Sequence, residues 1–461
     1  MTGNPADRKQ TRRTLLRNAC LLAASQLPAP YGSAAPRPEG ATGIVNNTPQ
    51  TLIAHPRVRL EFGPERMILP DGLQPSMLCT ASGTLVIQSQ LSKKPHPSRR
   101  IFYPYALATV GSRDGGDTWA EFPLGAGDNG VNMEGGAVQL RDGTILVLET
   151  YVTPGERPGT GSGLLYWSED DWRTLRGPAD ITFDLPGANF RGSTDDGGRP
   201  HEAMRLHRRL LELPGGDLLT TLYGWLDGDD EPSGYTPTMR KTRVMLLRSG
   251  NRGRHWELVS TVAADRKVGT EGFCEPVLAR VGRGPHAGRL ICQMRTGREL
   301  YEAVSDDEGR TWSPPRPRVF AGLDVYRTEL WAEMFKGVRR KGRLISENPN
   351  EFIGAVVDPD LFELRDGTMV AAFGVRVPPR ANFANPRHPW NGNYMAFSLD
   401  HGGTWPHVVR MTSGVSTTHY MAVEQTPRGG EIFVAYDFGY WAGKEGRYTY
   451  GRPVRISMRP E

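Results

Sequence analysis

Six positions in this 461-residue chain occupy one place in a repeated pattern and carry groups able to move protons or hold polar ligands: Gln74, Glu134, His207, Glu275, Asp358 and His419. Each opens a short apolar run, followed by a Gly-containing turn and a second apolar run. The template is plainest in Glu134-Gly135-Gly136-Ala137-Val138-Gln139-Leu140-Arg141-Asp142-Gly143 and in Asp358-Pro359-Asp360-Leu361-Phe362-Glu363-Leu364-Arg365-Asp366-Gly367. Three carboxylates and two histidines in one register are the residue types of general acid–base chemistry. Two carboxylates at a suitable separation serve as acid and as nucleophile or base at a glycosidic bond. The second apolar runs also end in polar or aromatic residues: Glu149 and Tyr151, Tyr223 and Trp225, Arg295, Arg376, then Tyr436, Asp437 and Tyr440. Aromatic faces beside carboxylates and arginines suit a sugar, whose ring stacks while its hydroxyls and any carboxylate bind polar groups.

The elements that must position these residues are short. Glycine (55) and proline (37) are frequent, and the apolar runs are of strand length rather than helix length. A second motif recurs beside the first. Ser112-Arg113-Asp114-Gly115-Gly116-Asp117-Thr118-Trp119, Ser305-Asp306-Asp307-Glu308-Gly309-Arg310-Thr311-Trp312 and Ser398-Leu399-Asp400-His401-Gly402-Gly403-Thr404-Trp405 are clear copies. Ser168-Glu169-Asp170-Asp171-Trp172 and Ser249–Trp256 are worn ones. Each reads as a tight hairpin in which Asp and Gly satisfy the turn and Trp tucks into the sheet. The repeat openings lie 60 to 83 residues apart, which predicts six four-stranded blades around an axis. The innermost strands would then run side by side and bring the opening residues to one face. The segment from about Thr51 to Phe62 is expected to close the ring against the last blade.

Residues 1–35 read as a leader. Thr11-Arg12-Arg13-Thr14-Leu15-Leu16-Arg17 resembles the twin-arginine export signature, and an apolar stretch and a small-residue run follow. The expected organisation is a leader at 1–35, a linker at 36–50 and a catalytic β domain at 51–461, exported to the periplasm or the extracellular space. The chain carries a net charge of +5, of which +4 sits in the leader, so the remainder gives no basis for nucleic-acid binding. No apolar run of membrane-spanning length follows the leader. Without Cys20 the cysteines are Cys79, Cys274 and Cys292, an odd number that reads as buried thiols. No cofactor or metal is expected. The partner is an oligosaccharide or polysaccharide, and the protein is a monomer or homodimer.

With both repeats on the page, residues 70–459 resemble the sialidase superfamily, all-β six-bladed β-propellers with Asp-box hairpins. The segment Glu275-Pro276-Val277-Leu278 followed by Ile291-Cys292-Gln293-Met294-Arg295-Thr296 resembles the one that carries the Glu activating a nucleophilic Tyr and one Arg of the carboxylate-binding triad. The chain departs from that pattern at Leu73-Gln74-Pro75, where the first triad Arg is missing, and at Asn391–Met395, where another is missing. Tyr420 stands two residues from the expected nucleophile position, and Lys93–Arg100 has no match for the acid/base Asp. Arg99, Arg100, Arg376, Arg380 or Arg387 are possible substitutes. The resemblance implies a glycoside hydrolase acting on a terminal sugar, acidic sugars included. Glu275, Glu134, Asp358, His207 and His419 are its catalytic candidates, and Arg295, Gln74, Arg376, Tyr151, Tyr223, Tyr420 and Tyr440 its binding candidates. A uronate-directed polysaccharide lyase, with Arg295 and a His or Tyr base, and a non-catalytic carbohydrate-binding propeller are the alternatives. The insertion from Tyr326 to Asn350 reads as a wall over the rim or a dimer contact.

Overall fold

The computed structural model describes residues 47–95, 105–124, 130–192, 194–196, 199–234, 239–320, 323, 339–340, 343–344, 355–377, 390–413, 418–439 and 447–459. The leader, most of the linker and most of the 326–350 insertion lie outside them. Among the described residues the regular elements are strands and three short 3-10 turns, and no helix is long and apolar enough to cross a membrane. The inner strands are buried along their length, as at Leu218–Gly224, Leu290–Arg295 and Met369–Arg376. Both faces of these sheets are covered, which is why their sequences read as continuous apolar runs rather than alternating ones.

Four sheets are blade-like. The first holds Gly72–Cys79, Leu85–Pro95, Tyr105–Ser112 and Ala120–Glu121 in that order. A second holds Cys274–Arg280, Leu290–Arg295, Tyr301–Ser305 and Arg316–Pro317. In a third, Ala355–Glu363, Met369–Arg376, Gly392–Ser398 and His407–Arg410 are followed by Gln50–Ile53 at the outer edge. In the last, Met421–Gln425, Glu431–Gly439 and Arg447–Met458 are joined by Val58–Phe62 and Arg66–Pro70, both paired with Arg447–Met458. The amino-terminal segment thus splits between the outer edges of two sheets.

The second and third repeats depart from the expected architecture. They form one ten-stranded sheet, because Arg176–Asp184 pairs in parallel with His255–Ala263, with Phe183 opposite Trp256. Tyr151–Pro154 pairs with Met204–Leu206 on one side and with Thr160–Ser168 on the other. These two pairings close a seven-stranded ring, running through Leu218–Gly224 and Arg243–Ser249 and back. The architecture is a seven-stranded closed ring with four blade-like sheets, which corrects the expected six-bladed propeller. The cause is local. Phe183, Leu222 and Trp256 share one apolar cluster, and the parallel pairing covers two strand edges that separate blades would leave open. Repeat spacing reports hairpins; it carries no information on whether two repeats pair edge to edge.

The five hairpins share one hydrogen-bond scheme. In the first, Ser112 Oγ donates to Asp114 Oδ1 (2.7 Å) and accepts from the Gly116 amide (2.8 Å), while Asp114 accepts from the Thr118 amide (3.0 Å) and hydroxyl (2.5 Å). Ser305/Asp307, Ser398/Asp400 and Ser168/Asp170 repeat it, and Ser249/Asn251 repeats it without the hydroxyl bond, since His255 stands in the Thr place and gives only its amide (2.9 Å). The Ser168 copy differs in one respect. Trp172 takes the place of the turn glycine, with φ of 63° and its amide on Ser168 Oγ (2.9 Å), and its indole reaches the Pro123 carbonyl instead.

Across the centre runs a clasp of consecutive arginines. Arg208 closes both arms of its guanidinium on Asp358, and Arg209 reaches Asp360 (2.8 Å), Glu424 (2.5 Å) and the Val423 carbonyl (2.7 Å). The third repeat is thereby tied to the fifth and sixth.

Candidate active site

The site is built on a repeated backbone device. Gln74, Glu275 and Asp358 each precede a proline, and each has a left-handed φ, of 51°, 41° and 48°. The strand register slips at the same three places, between Leu73 and Ser76, Cys274 and Val277, and Val357 and Asp360. A bulge of this kind re-aims one side chain, and proline tolerates it because it has no N–H to leave unpaired. Arg208 and His419 adopt the same left-handed conformation, at 63° and 58°. A non-glycine residue there costs about 1–2 kcal/mol. That strain recurs at four repeat openings and one residue past a fifth, and at few other points of the inner strands, so it marks the site rather than the fold at large.

Six ionisable side chains and a phenol come together around the bulges. Arg295 donates from Nη1 to Glu275 Oε1 (2.6 Å) and to Tyr420 Oη (3.1 Å), and from Nη2 to Glu271 Oε1 (2.8 Å). Tyr420 Oη donates to the same Glu275 oxygen. The other Glu275 oxygen accepts the Asp358 amide (3.2 Å). His207 lies beyond, with Nε2 3.5 Å from Asp358 and 3.7 Å from Glu134. Its Nδ1 is 3.0 Å from the Pro276 carbonyl, which can only accept, so Nδ1 carries a proton. The Nε2 edge therefore faces the Asp358 and Glu134 carboxyls.

Charge is unevenly spread over this cluster. Burial raises Glu275, but the Arg295 guanidinium, His207 and the bonds from Arg295 and Tyr420 outweigh it and hold the carboxyl at about 2. Asp358 moves the other way. Burial, with Glu275 and Glu134 nearby, lifts it to about 7 against the pull of Arg208 and His207. The Tyr420 phenol is pushed well above its ordinary range by burial and by Glu275. One carboxylate is thus kept ionised and its neighbour kept ready to hold a proton.

Glu275, Arg295, Asp358, His207, Glu134 and Tyr420 are therefore brought together. Tyr420 is aimed by its strained neighbour His419, whose carbonyl accepts from Asn393 (2.8 Å), and His419 itself is buried behind the site. Arg376 donates to the Thr418 carbonyl (2.7 Å) and stacks on the Tyr420 ring at 5.4 Å. Gln74 is held through its amide by Asp437 (3.1 Å). Tyr151 and Tyr223 are not open platforms. They lie in one cross-strand row with Arg205 between them, which donates to Tyr223 Oη (3.0 Å) and covers both rings. The pairing that closes the seven-stranded ring aligns that row. Tyr440, Arg99, Arg100, Arg380 and Arg387 lie outside the described residues. The site residue that sequence reasoning missed is Glu271, in a loop ahead of the strand and outside the repeat template. Cys79, Cys274 and Cys292 are free thiols, and Cys274 donates to Glu271 Oε2 (3.1 Å).

No protein-family model matches the chain, and no curated protein matches it. Solved structures do. One is a protein of unknown function from Dyadobacter fermentans, at TM-score 0.56 and 17% identity, covering 87% of this chain and 100% of that one. Another is an α-L-arabinofuranosidase from Fusarium graminearum, at 0.50 and 12%, covering 86% and 98%. The NanB sialidase from Streptococcus pneumoniae scores 0.48 at 12%, covering 87% and 70%. These likenesses show the fold, a β-rich one related at low identity to several carbohydrate-active hydrolases. The expected membership of the sialidase superfamily is corrected: no family model supports it, the likenesses are distant and partial, and the seven-stranded ring departs from a six-bladed propeller.

Proposed function

We propose that the protein is a secreted glycoside hydrolase that removes a terminal sugar from an oligosaccharide or polysaccharide. The observation that carries this reading is the opposed state of two neighbouring carboxyls, linked by the bond from the Asp358 amide to Glu275, with Glu275 held down near 2 and Asp358 lifted to about 7. Acid-assisted cleavage needs one group that stays ionised and one that holds a proton. Tyr420 Oη attacks the anomeric carbon, and Glu275 takes its proton as the new bond forms. The bond to the leaving oxygen breaks, and that oxygen takes the proton held by Asp358. Water then cleaves the tyrosyl–sugar bond, returning one proton to that group while Glu275 gives its proton back to the phenol.

Glu275→Gln keeps shape and most hydrogen bonds but removes the base. Turnover is expected to fall about 10²- to 10⁴-fold with little change in melting temperature. Full activity of this variant sinks the mechanism. Screening sialosides, rhamnosides, uronides, galactosides and arabinosides, with reducing-sugar and ultraviolet readouts, identifies the substrate. An ultraviolet-absorbing product would replace hydrolysis by elimination. Export rests on Arg12 and Arg13, and their joint replacement by lysine should leave the protein inside the cell.

A further inference from the structure

We infer that Glu271 sets the charge class of the substrate: by holding Arg295 in advance, it makes the site accept a neutral sugar and turn away one that carries a carboxylate. This rests on the hydrolase reading above. An arginine recognises a carboxylate by offering two parallel N–H donors to it. Arg295 has spent both arms on the protein's own acids, Nη1 on Glu275 and Nη2 on Glu271. Glu271 is only 4% exposed and cannot be pushed aside cheaply. Its other oxygen takes the Cys274 thiol, its amide bonds the Thr296 carbonyl (3.2 Å), and its carbonyl takes the Thr242 amide (2.9 Å).

Arg208 is closed on Asp358, while Arg376 gives its Nε to the Thr418 carbonyl and lies over the Tyr420 ring. Among the described residues, four carboxyls (Glu134, Glu271, Glu275, Asp358) meet three guanidiniums, so no positive charge is left over for an incoming anion. Hydroxyl groups, which both donate and accept, suit such a rim far better. Selectivity then comes from an unfavourable element built against the wrong ligand.

The test is direct binding by calorimetry on Glu275→Gln protein, so that no substrate is consumed. The probes are matched 4-nitrophenyl pairs, glucoside with glucuronide and galactoside with galacturonide in both anomers, together with neutral arabinofuranosides and an α-sialoside. At least one neutral probe should bind, with every acidic probe at least about tenfold weaker. In the double variant Glu271→Gln, Glu275→Gln, that ratio should shrink, which a purely structural role for Glu271 would not produce. Tighter binding of any acidic probe, or binding of none, overturns the inference even if the double variant fails to fold. Release of uronic or sialic acid by the native protein would overturn it while leaving the hydrolase reading standing. Binding of neutral probes without any turnover by the native protein would do the reverse.

Discussion

Glu149 shows how strongly single residues here depend on their surroundings. Its Oε2 accepts the Asn132 amide (2.7 Å), and Asn132 in turn caps the turn that carries Glu134. Burial lifts this carboxyl from its ordinary 4.5 to about 8. The folded state thus binds the proton more tightly than the unfolded chain does. The resulting stabilisation is full below about pH 4.5 and is lost as pH rises through about 8. Asp358 and Glu424, both lifted to about 7, act in the same direction, while Glu275, held at about 2, loses its stabilising effect only as pH falls toward that value. The melting temperature should therefore decline from about pH 5 to about pH 8. Glu149→Gln should flatten that decline, raising the melting temperature at the upper end by the equivalent of a few kcal/mol and leaving the lower end nearly unchanged. A parallel shift at both ends would refute the account. Glu275, Arg295 and Asp358 were legible in the sequence because residue type and repeat register pointed to them together. Glu271 was not, since it lies outside the repeat template, and the Tyr420–Glu275 bond was implied only by the resemblance, with Tyr420 two residues from the expected place.

At the scale of elements, the hairpins and the proline bulges do different jobs. The hairpins hold outer strands, and their glycines are fixed by space as well as by φ. Gly309 has φ of 86°, and a Cβ there would lie 2.0 Å from a Leu246 methyl in the neighbouring sheet. Gly309→Ala should cost about 1–3 kcal/mol in denaturant melts and leave the ratio of neutral to acidic sugar binding unaltered. A change in that ratio would mean that the hairpin reaches the site. The hairpins were readable because their hydrogen bonds are local, from Ser to Asp to Thr within seven residues. The bulges were half-readable. Gln74-Pro75, Glu275-Pro276 and Asp358-Pro359 stood in register in the sequence, but their left-handed conformation emerged only with the strands paired.

At the scale of the molecule, neighbouring sheets pack through shared apolar clusters, and the arginine clasp ties distant repeats together. Arg209→Met should cost about 3–5 kcal/mol, because Glu424 would stay mostly buried without a counter-charge and Asp360 would keep only Arg208, 4.0 Å away. Adding Asp360→Leu and Glu424→Leu should recover much of that loss in chemical denaturation; three additive losses would argue against the clasp. The ring of seven strands escaped the sequence because an edge-to-edge pairing such as Phe183 with Trp256 leaves no periodic mark. The placing of the amino-terminal strands has a consequence for how the protein is made. Val58 faces Met458 and Arg66 faces Gly451, so partners are separated by about 400 residues of chain. On a ribosome, the strands that emerge early find no partner until those that emerge late are released. Pairings this distant in the chain form slowly, and a polypeptide cut short before Arg447 would keep open edges that other chains can join.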